Sequence, residues 1–362
     1  MPMKELKVVV SNNMKYSIII NHDFSLLKEK LKSIFDGNSI VIITDDNVEE
    51  LYLSQLIHSI EDKSYSIHKM IIKHGECTKN YKTLLKIYDF LMSVKFGRTD
   101  LIIALGGGVV GDVAGFAAAT YLRGVSFVQI PTTLLAQVDS SIGGKVAINY
   151  NNIKNNIGAF HQPSLVYINT TVLKTLPVRE FRNGLAEIIV HGIIQDADLI
   201  SFTVEYFNGF PDINYDLVEE LIYKNCEIKS NIIMQDEKDK GIRRSLNFGH
   251  TIGHAIEASY GYKYAHGECV AFGIVSAFKI SVLCELINKE KLRYIEKVLT
   301  TLNLPIKTDD LNWTSILEKV VYDKKNLSGE SIFILPTGIG SVVEYRISKD
   351  ILMNYIKQIN II

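Results

Sequence analysis

The segment Leu101-Ile102-Ile103-Ala104-Leu105-Gly106-Gly107-Gly108-Val109-Val110-Gly111-Asp112 constrains the fold more than any other. An apolar run that ends in glycines and gives way to a helical pattern reads as strand, tight turn and helix. The flanking chain repeats the theme. Residues 7–10 and 16–20 form an expected hairpin, 39–44, 65–72 and 126–130 are strand-like, and 80–94 reads as a helix. Such alternation argues for an α/β layer with a largely parallel sheet. Beyond residue 165 the pattern turns helical. Pro177 suits the first turn of a helix, and helical stretches follow at 215–235, 246–259, 267–286 and 289–302.

Gly106, Gly108 and Gly111 satisfy G-x-G-x-x-G, and the amides that open the following helix suit a pyrophosphate. Two readings stand on these residues alone. No acidic residue follows on a strand end about twenty residues later, as a dinucleotide fingerprint expects, and a glycine turn that packs a helix against a sheet leaves the same pattern. The next segments add hydroxyls, glycines and isolated cations: Tyr121-Leu122-Arg123-Gly124, residues 129–145 ending in Gly143-Gly144-Lys145, and residues 154–163 beginning Lys154-Asn155-Asn156. That is the chemistry of a phosphate-binding surface. The expected fold is an α/β N-terminal dinucleotide-binding, Rossmann-like domain over residues 1–165, followed by a mainly α-helical metal- and substrate-binding domain over residues 166–362.

A second constellation lies in the helical half: Gly184-Leu185-Ala186-Glu187, then Asn247-Phe248-Gly249-His250-Thr251-Ile252-Gly253-His254, then His266-Gly267-Glu268. One carboxylate and two or three imidazoles on separate segments can build an open zinc site, with three protein ligands and a vacant position for a substrate oxygen. His250 and His254 share a helix face, as do Glu187 and His191, so spacing alone leaves His254 and His191 open as ligands. Glycines at 249 and 253 each cost a helix roughly 1 kcal/mol against alanine and call for a close approach nearby. Glu268 reads as a helix-start carboxylate.

Composition excludes other classes. The 362 residues carry 22% charged and 47% hydrophobic side chains with a net charge of −1, which gives no electrostatic case for nucleic acid or membrane. Cys77, Cys226, Cys269 and Cys284 lack C-x-x-C spacing, so neither a redox dithiol nor a cysteine metal site is indicated. Without an apolar segment near Met1-Pro2-Met3-Lys4-Glu5, a cytoplasmic protein is expected.

Together, the blocks from about Asp45 to Asp323-Lys324-Lys325 and Ile339-Gly340 resemble the 3-dehydroquinate synthase family of sugar-phosphate cyclases, over most of the chain. The resemblance implies zinc, or cobalt in its place, on Glu187, His250 and His266, with His254 near a substrate phosphate. For NAD it implies Asp45, Glu76, Lys79, Gly107, Gly108, Asp112, Thr132 and Thr133, with Lys145 and Lys154 beside them. For a heptulosonate phosphate it implies Lys229 and Arg243 at the carboxylate, and Lys145, Asn155, His254, Lys324 and Arg123 at the phosphate, with Asp139, Lys154 and Asn247 completing the site. The family places the Arg123 equivalent across a subunit boundary, so a homodimer is part of what the resemblance implies. Carboxylate-free cyclases of the 2-deoxy-scyllo-inosose or valiolone type and metal-dependent polyol dehydrogenases are the alternatives. Lys229 and Arg243 argue against the first, and Lys145, Lys154 and Asn155 against the second.

One position departs from the family. Val190, three residues after Glu187, stands where a lysine is usual, and valine offers neither its charge nor its donors.

Overall fold

The computed structural model describes residues 3–10, 14–151, 153–208, 214–261, 263–308, 310–322, 330–348, 352 and 354. Its strands are β1 (Lys4–Val9), β2 (Lys15–Asn21), β3 (Ser39–Asp45), β4 (Ser66–Ile72), β5 (Leu101–Gly106), β6 (Ser126–Pro131), β7 (Lys145–Tyr150), β8 (Ile153–Phe160), β9 (Leu165–Asn169), β10 (Glu330–Gly338) and β11 (Ser341–Ser348). The helices are α1 (Leu27–Lys32), α2 (Asp46–Val48), α3 (Ser54–Ile60), α4 (Tyr81–Ser93), α5 (Gly108–Thr120), α6 (Val178–Gln195), α7 (Ala197–Phe207), α8 (Tyr215–Gln235), α9 (His250–Tyr260), α10 (His266–Leu283), α11 (Lys289–Thr301) and α12 (Trp313–Tyr322). The chain divides into two compact units, one of residues 1–177 with 214–238, the other of 178–213 with 239–362.

The first unit is built on a seven-stranded sheet of order β1-β2-β9-β6-β5-β3-β4, parallel except for the antiparallel β1/β2 hairpin. Runs such as Ile40-Val41-Ile42-Ile43 are apolar at every position because both faces of a parallel sheet are covered. Side chains alternate faces along a strand. Val41, Ile43, Ile102 and Ala104 therefore meet α4 and α5 through Ile87, Leu91, Val113 and Ala117. Ile40, Ile42, Leu101 and Ile103 meet Leu27, Leu31, Leu56 and Ile60 of α1 and α3. β9 starts at Leu165, where the sequence reading placed the domain boundary, and bridges β2 and β6 in the sheet. α8 also belongs here. Its buried Glu219 pairs with His22 at 2.8 Å, and its Asn225 Nδ2 donates to Val138 O at 2.7 Å.

Among the described residues, the second unit is helical with one hairpin. α10 packs against both α6 and α9. This helix is long and apolar enough to cross a membrane, yet 72% of it is buried inside the fold, as befits a core helix. β10 and β11 pair antiparallel, with Phe333, Leu335 and Ile347 buried; this hairpin is the strand part of a unit expected to be mainly α-helical. The helix expected over 246–259 begins only at His250, since Gly249 sits at φ 76° in the left-handed region and interrupts it after the turn Ile242–Asn247. The glycines do mark a close approach. A Cβ on Gly253 would lie 3.1 Å from Cys269 O, and one on Gly273 would lie 1.8 Å from Gly249 O.

α9 and α10 can therefore cross at this separation only while position 273 lacks a side chain. Gly273→Ala is expected to destabilise the fold by about 1–3 kcal/mol, read as a lowered denaturation midpoint at unchanged m-value. An unaltered midpoint would contradict this crossing.

Candidate functional site

Glu187 lies in the middle of α6, between apolar neighbours, and is buried. A buried carboxylate is tolerable only when paired. Glu187 Oε1 lies 3.1 Å from His266 Nε2 and 3.3 Å from His250 Nε2. Each ring is turned by its other nitrogen: His250 Nδ1 is 3.0 Å from Phe248 O, and His266 Nδ1 is 3.2 Å from Glu257 Oε1. Both partners are acceptors, so each Nδ1 carries the proton and each Nε2 is directed at Glu187. Burial by itself would push Glu187 up and both imidazoles down. Mutual attraction outweighs it, holding Glu187 well below the usual carboxylate range, raising His250, and lifting His266 to about 10.

The three ligand atoms of Glu187, His250 and His266 lie within 4.8 Å of one another. A tetrahedral zinc site with bonds of ~2.0–2.1 Å has ligand–ligand edges of about 3.3 Å, close to the two separations above. The donor set and its spacing thus fit a divalent cation. His254, Glu257 and His266 form a second grouping within the same limit, in which His254 is exposed. Glu268 acts as the helix-start carboxylate the sequence suggested, accepting from Ala265 N at 2.8 Å and from Arg179. Val190 is fully buried on α6, so in this chain the position belongs to the packed interior of the unit.

In the first unit, the glycine turn joins β5 to α5. Gly111 is explained by packing, because a Cβ there would lie 2.7 Å from Gln129 Oε1. Gly107 and Gly108 face hydroxyl residues instead, with would-be Cβ atoms 3.1 Å from Thr133 Cγ2 and 3.0 Å from Ser140 Oγ. Bare amides at a helix start bordered by hydroxyls fit a phosphate-bearing cofactor.

Four of the sequence-selected residues join one hydrogen-bonded network here, running from buried Lys79 to exposed Asn155. The Lys79 ammonium donates to the Asp112 carboxylate and to Asn155 Oδ1. Asn155 N donates to Asn149 Oδ1 at 2.9 Å, and Asn149 Nδ2 to Glu76 Oε1 at 2.8 Å. Burial pushes the Asp112 carboxyl up, and Lys79 opposes that. Lys229, on α8, donates to both Asp139 Oδ1 and Asp139 O at 2.5 Å. Asp45 caps α2, accepting from Asn47 N and Val48 N at 3.0 Å each, and burial raises its carboxyl. Thr133 Oγ1 accepts from Ala136 N at 3.1 Å, and Thr132 is buried. Lys145 and Lys154 lie on β7 and β8. Arg123 is exposed at φ 71°, directly after Leu122 at φ 50°. In the second unit Arg243 is buried while Asn247 and His254 are exposed. Lys324 lies outside the described residues.

Sequence reasoning missed Asn149 and Glu257. Nothing local distinguishes Asn149 in its asparagine-rich hairpin. Glu257 was within reach, since His250, His254 and Glu257 are spaced i, i+4, i+7 along one helix face.

A parallel α/β sheet with a glycine turn and a helical unit holding a carboxylate and two imidazoles define a fold class that solved enzymes share. Its solved members include a 2-deoxy-scyllo-inosose synthase complexed with carbaglucose-6-phosphate, NAD+ and Co2+ (TM-score 0.89, 24% identity, 98% of this chain and 99% of that one). A 1,3-propanediol oxidoreductase shares the fold at TM-score 0.71 and 11% identity over 99% and 100%. At such identities the likeness extends to the fold alone. Sequence is more specific: the family models for the 3-dehydroquinate synthase N-terminal and C-terminal regions match residues 69–183 and 184–326 in succession. The 3-dehydroquinate synthase of Ruminiclostridium cellulolyticum is 42% identical over 92% of both chains, and that of Clostridium acetobutylicum 44% identical over 90% of this chain and 91% of its own. The chain belongs to the 3-dehydroquinate synthase family.

The Lys79–Asp112 pair is nearly dry, with side chains 6% and 15% exposed. Lys79→Met strands a buried carboxylate and is expected to destabilise the protein by about 3–5 kcal/mol, whereas Lys79→Met combined with Asp112→Leu should recover most of that loss. Denaturation of both variants checks this; a single variant as stable as the parent would contradict the pairing.

Proposed function

We propose that the chain is a 3-dehydroquinate synthase, a phosphate-eliminating carbon-oxygen lyase that converts 3-deoxy-D-arabino-heptulosonate 7-phosphate to 3-dehydroquinate and phosphate on the way to aromatic amino acids. The carrying observation is that curated relatives of this name match at 42% identity across 92% of both lengths. NAD and a divalent metal, zinc or cobalt, are its cofactors in this reading. Support comes from the fit of Glu187, His250 and His266 to a tetrahedral cation and of Gly107 and Gly108 to a pyrophosphate, and from the NAD+ and Zn2+ named for a 2-epi-5-epi-valiolone synthase of Streptomyces hygroscopicus that shares the fold (TM-score 0.87, 23% identity, 98% and 99% covered).

When bound, NAD supplies a hydride acceptor that returns the hydride within the same turnover, and the metal supplies a Lewis acid for the substrate hydroxyls. The protein's own residues bind and orient. Asp45, Glu76, Lys79, Asp112, Thr132 and Thr133 are assigned to NAD. Two anionic ends of the substrate require two cationic subsites, Lys229 and Arg243 for the carboxylate, and Lys145, Asn155, His254, Arg123 and Lys324 for the phosphate. Asp139, held by Lys229, is positioned to take a proton at its carboxylate, and Lys154 and Asn247 complete the polar lining. A homodimer in the cytoplasm belongs to the same reading.

Purified protein given the heptulosonate phosphate, NAD and Zn2+ should release phosphate and dehydroquinate in equal amounts, exceeding added NAD many times over without NADH accumulating. Stoichiometric NADH without phosphate release would favour a polyol dehydrogenase instead. Replacing Lys229 or Arg243 by alanine removes a charged hydrogen bond worth about 1.5–3 kcal/mol, hence roughly a 10- to 150-fold fall in kcat/KM. A fall confined to less than twofold would overturn the carboxylate assignment.

A further inference from the structure

Glu257 is buried on α9, one residue type and one position that the reaction itself does not call for. Its Oε1 lies 3.2 Å from His266 Nδ1, while the opposite nitrogen of the same ring lies 3.1 Å from Glu187 Oε1. An imidazole that donates through one ring nitrogen to a carboxylate is fixed in tautomer and in plane, and its other nitrogen becomes a better electron-pair donor. α9 also contributes His250, seven residues earlier on the same face, whose Nδ1 is held in the same sense by Phe248 O. One helix thus brings one imidazole and the anchor of the other. The close crossing at Gly253, where a Cβ would lie 3.1 Å from Cys269 O, keeps α9 near enough to α10 for Glu257 to reach His266.

We propose that Glu257 is a positioning residue for the metal centre: its carboxylate holds His266 so that Nε2 faces the cation, and it is not itself a ligand. The inference rests on the assignment of Glu187, His250 and His266 as the ligands. It also decides between the two groupings that share His266, because a Glu257 engaged with Nδ1 orients a ligand of the Glu187 grouping and leaves exposed His254 outside the coordination.

The test uses the full chain stripped of metal and titrated with Zn2+ against a chelating indicator, with Co2+ absorption as a second readout. Glu257→Ala should weaken Zn2+ binding about 10- to 100-fold and alter the cobalt d–d bands, because His266 loses its fixed orientation. Glu257→Gln, whose amide oxygen still accepts from Nδ1–H, should recover much of the affinity, whereas Glu257→Leu, similar in size but without an acceptor, should not; equal recovery in both would reduce Glu257 to packing and overturn the positioning role. Glu187→Ala, by losing a ligand, should lose far more, and His254→Ala should bind zinc like the parent. Unchanged affinity in Glu257→Ala beside a Glu187→Ala that has lost zinc overturns the positioning role alone. Loss as complete as that of Glu187→Ala, without rescue by Glu257→Gln, makes Glu257 a ligand and overturns it as well. Zinc retained by Glu187→Ala removes the ligand assignment, and the positioning role falls with it.

Discussion

A buried carboxylate on α6 that collects one imidazole from α9 and one from α10 fixes three helices of the second unit at once. Glu187 could not remain charged among Ile188, Ile189 and Val190 without those partners, and neither histidine reaches it unless α9 and α10 cross at glycine separation. The left-handed Gly249 ends the preceding turn so that His250 opens α9 in the right phase. Packing and chemistry are thus the same constraint in this unit: the small residues that let the helices approach also set the 3.1 and 3.3 Å separations at Glu187.

The first unit solves a different problem by comparable means. A parallel sheet covered on both faces leaves its polar chemistry outside its own strands, where Lys79, Asp112, Asn155, Asn149 and Glu76 satisfy one another in a chain of hydrogen bonds. α8 enters from the far side of the sequence and brings Lys229 to Asp139, anchored by its neighbours Asn225 and Glu219. Ionic groups held this firmly cost little reorganisation when a charged ligand arrives.

Much of this was legible before any coordinates. The apolar runs of β3 and β5, the glycine turn, and the histidine spacing all carry their own physics, and the family resemblance drew the residues proposed for NAD and substrate from the same blocks. What escaped depends on partners distant in sequence. Leu165-Val166-Tyr167-Ile168 is an ordinary apolar run, and nothing in it says that it lies between β2 and β6. The apolar run Ile332-Phe333-Ile334-Leu335 was readable as a strand but stood after a long helical stretch. Glu257 shows its role only when His266 arrives from the next helix, and Asn149 only when a hairpin brings it to Glu76 and Asn155. Local periodicity identifies elements; the identity of a polar side chain's partner is a tertiary fact.

The convergence of three helices on Glu187 is tested most directly by anomalous diffraction at the zinc absorption edge from crystals of the metal-loaded protein. The account predicts one strong anomalous peak at ~2.0–2.2 Å from a Glu187 carboxylate oxygen, His250 Nε2 and His266 Nε2 together, with Glu257 on the far side of the His266 ring. A peak coordinated instead by His254 and Glu257, or no peak within bonding distance of Glu187, would contradict it.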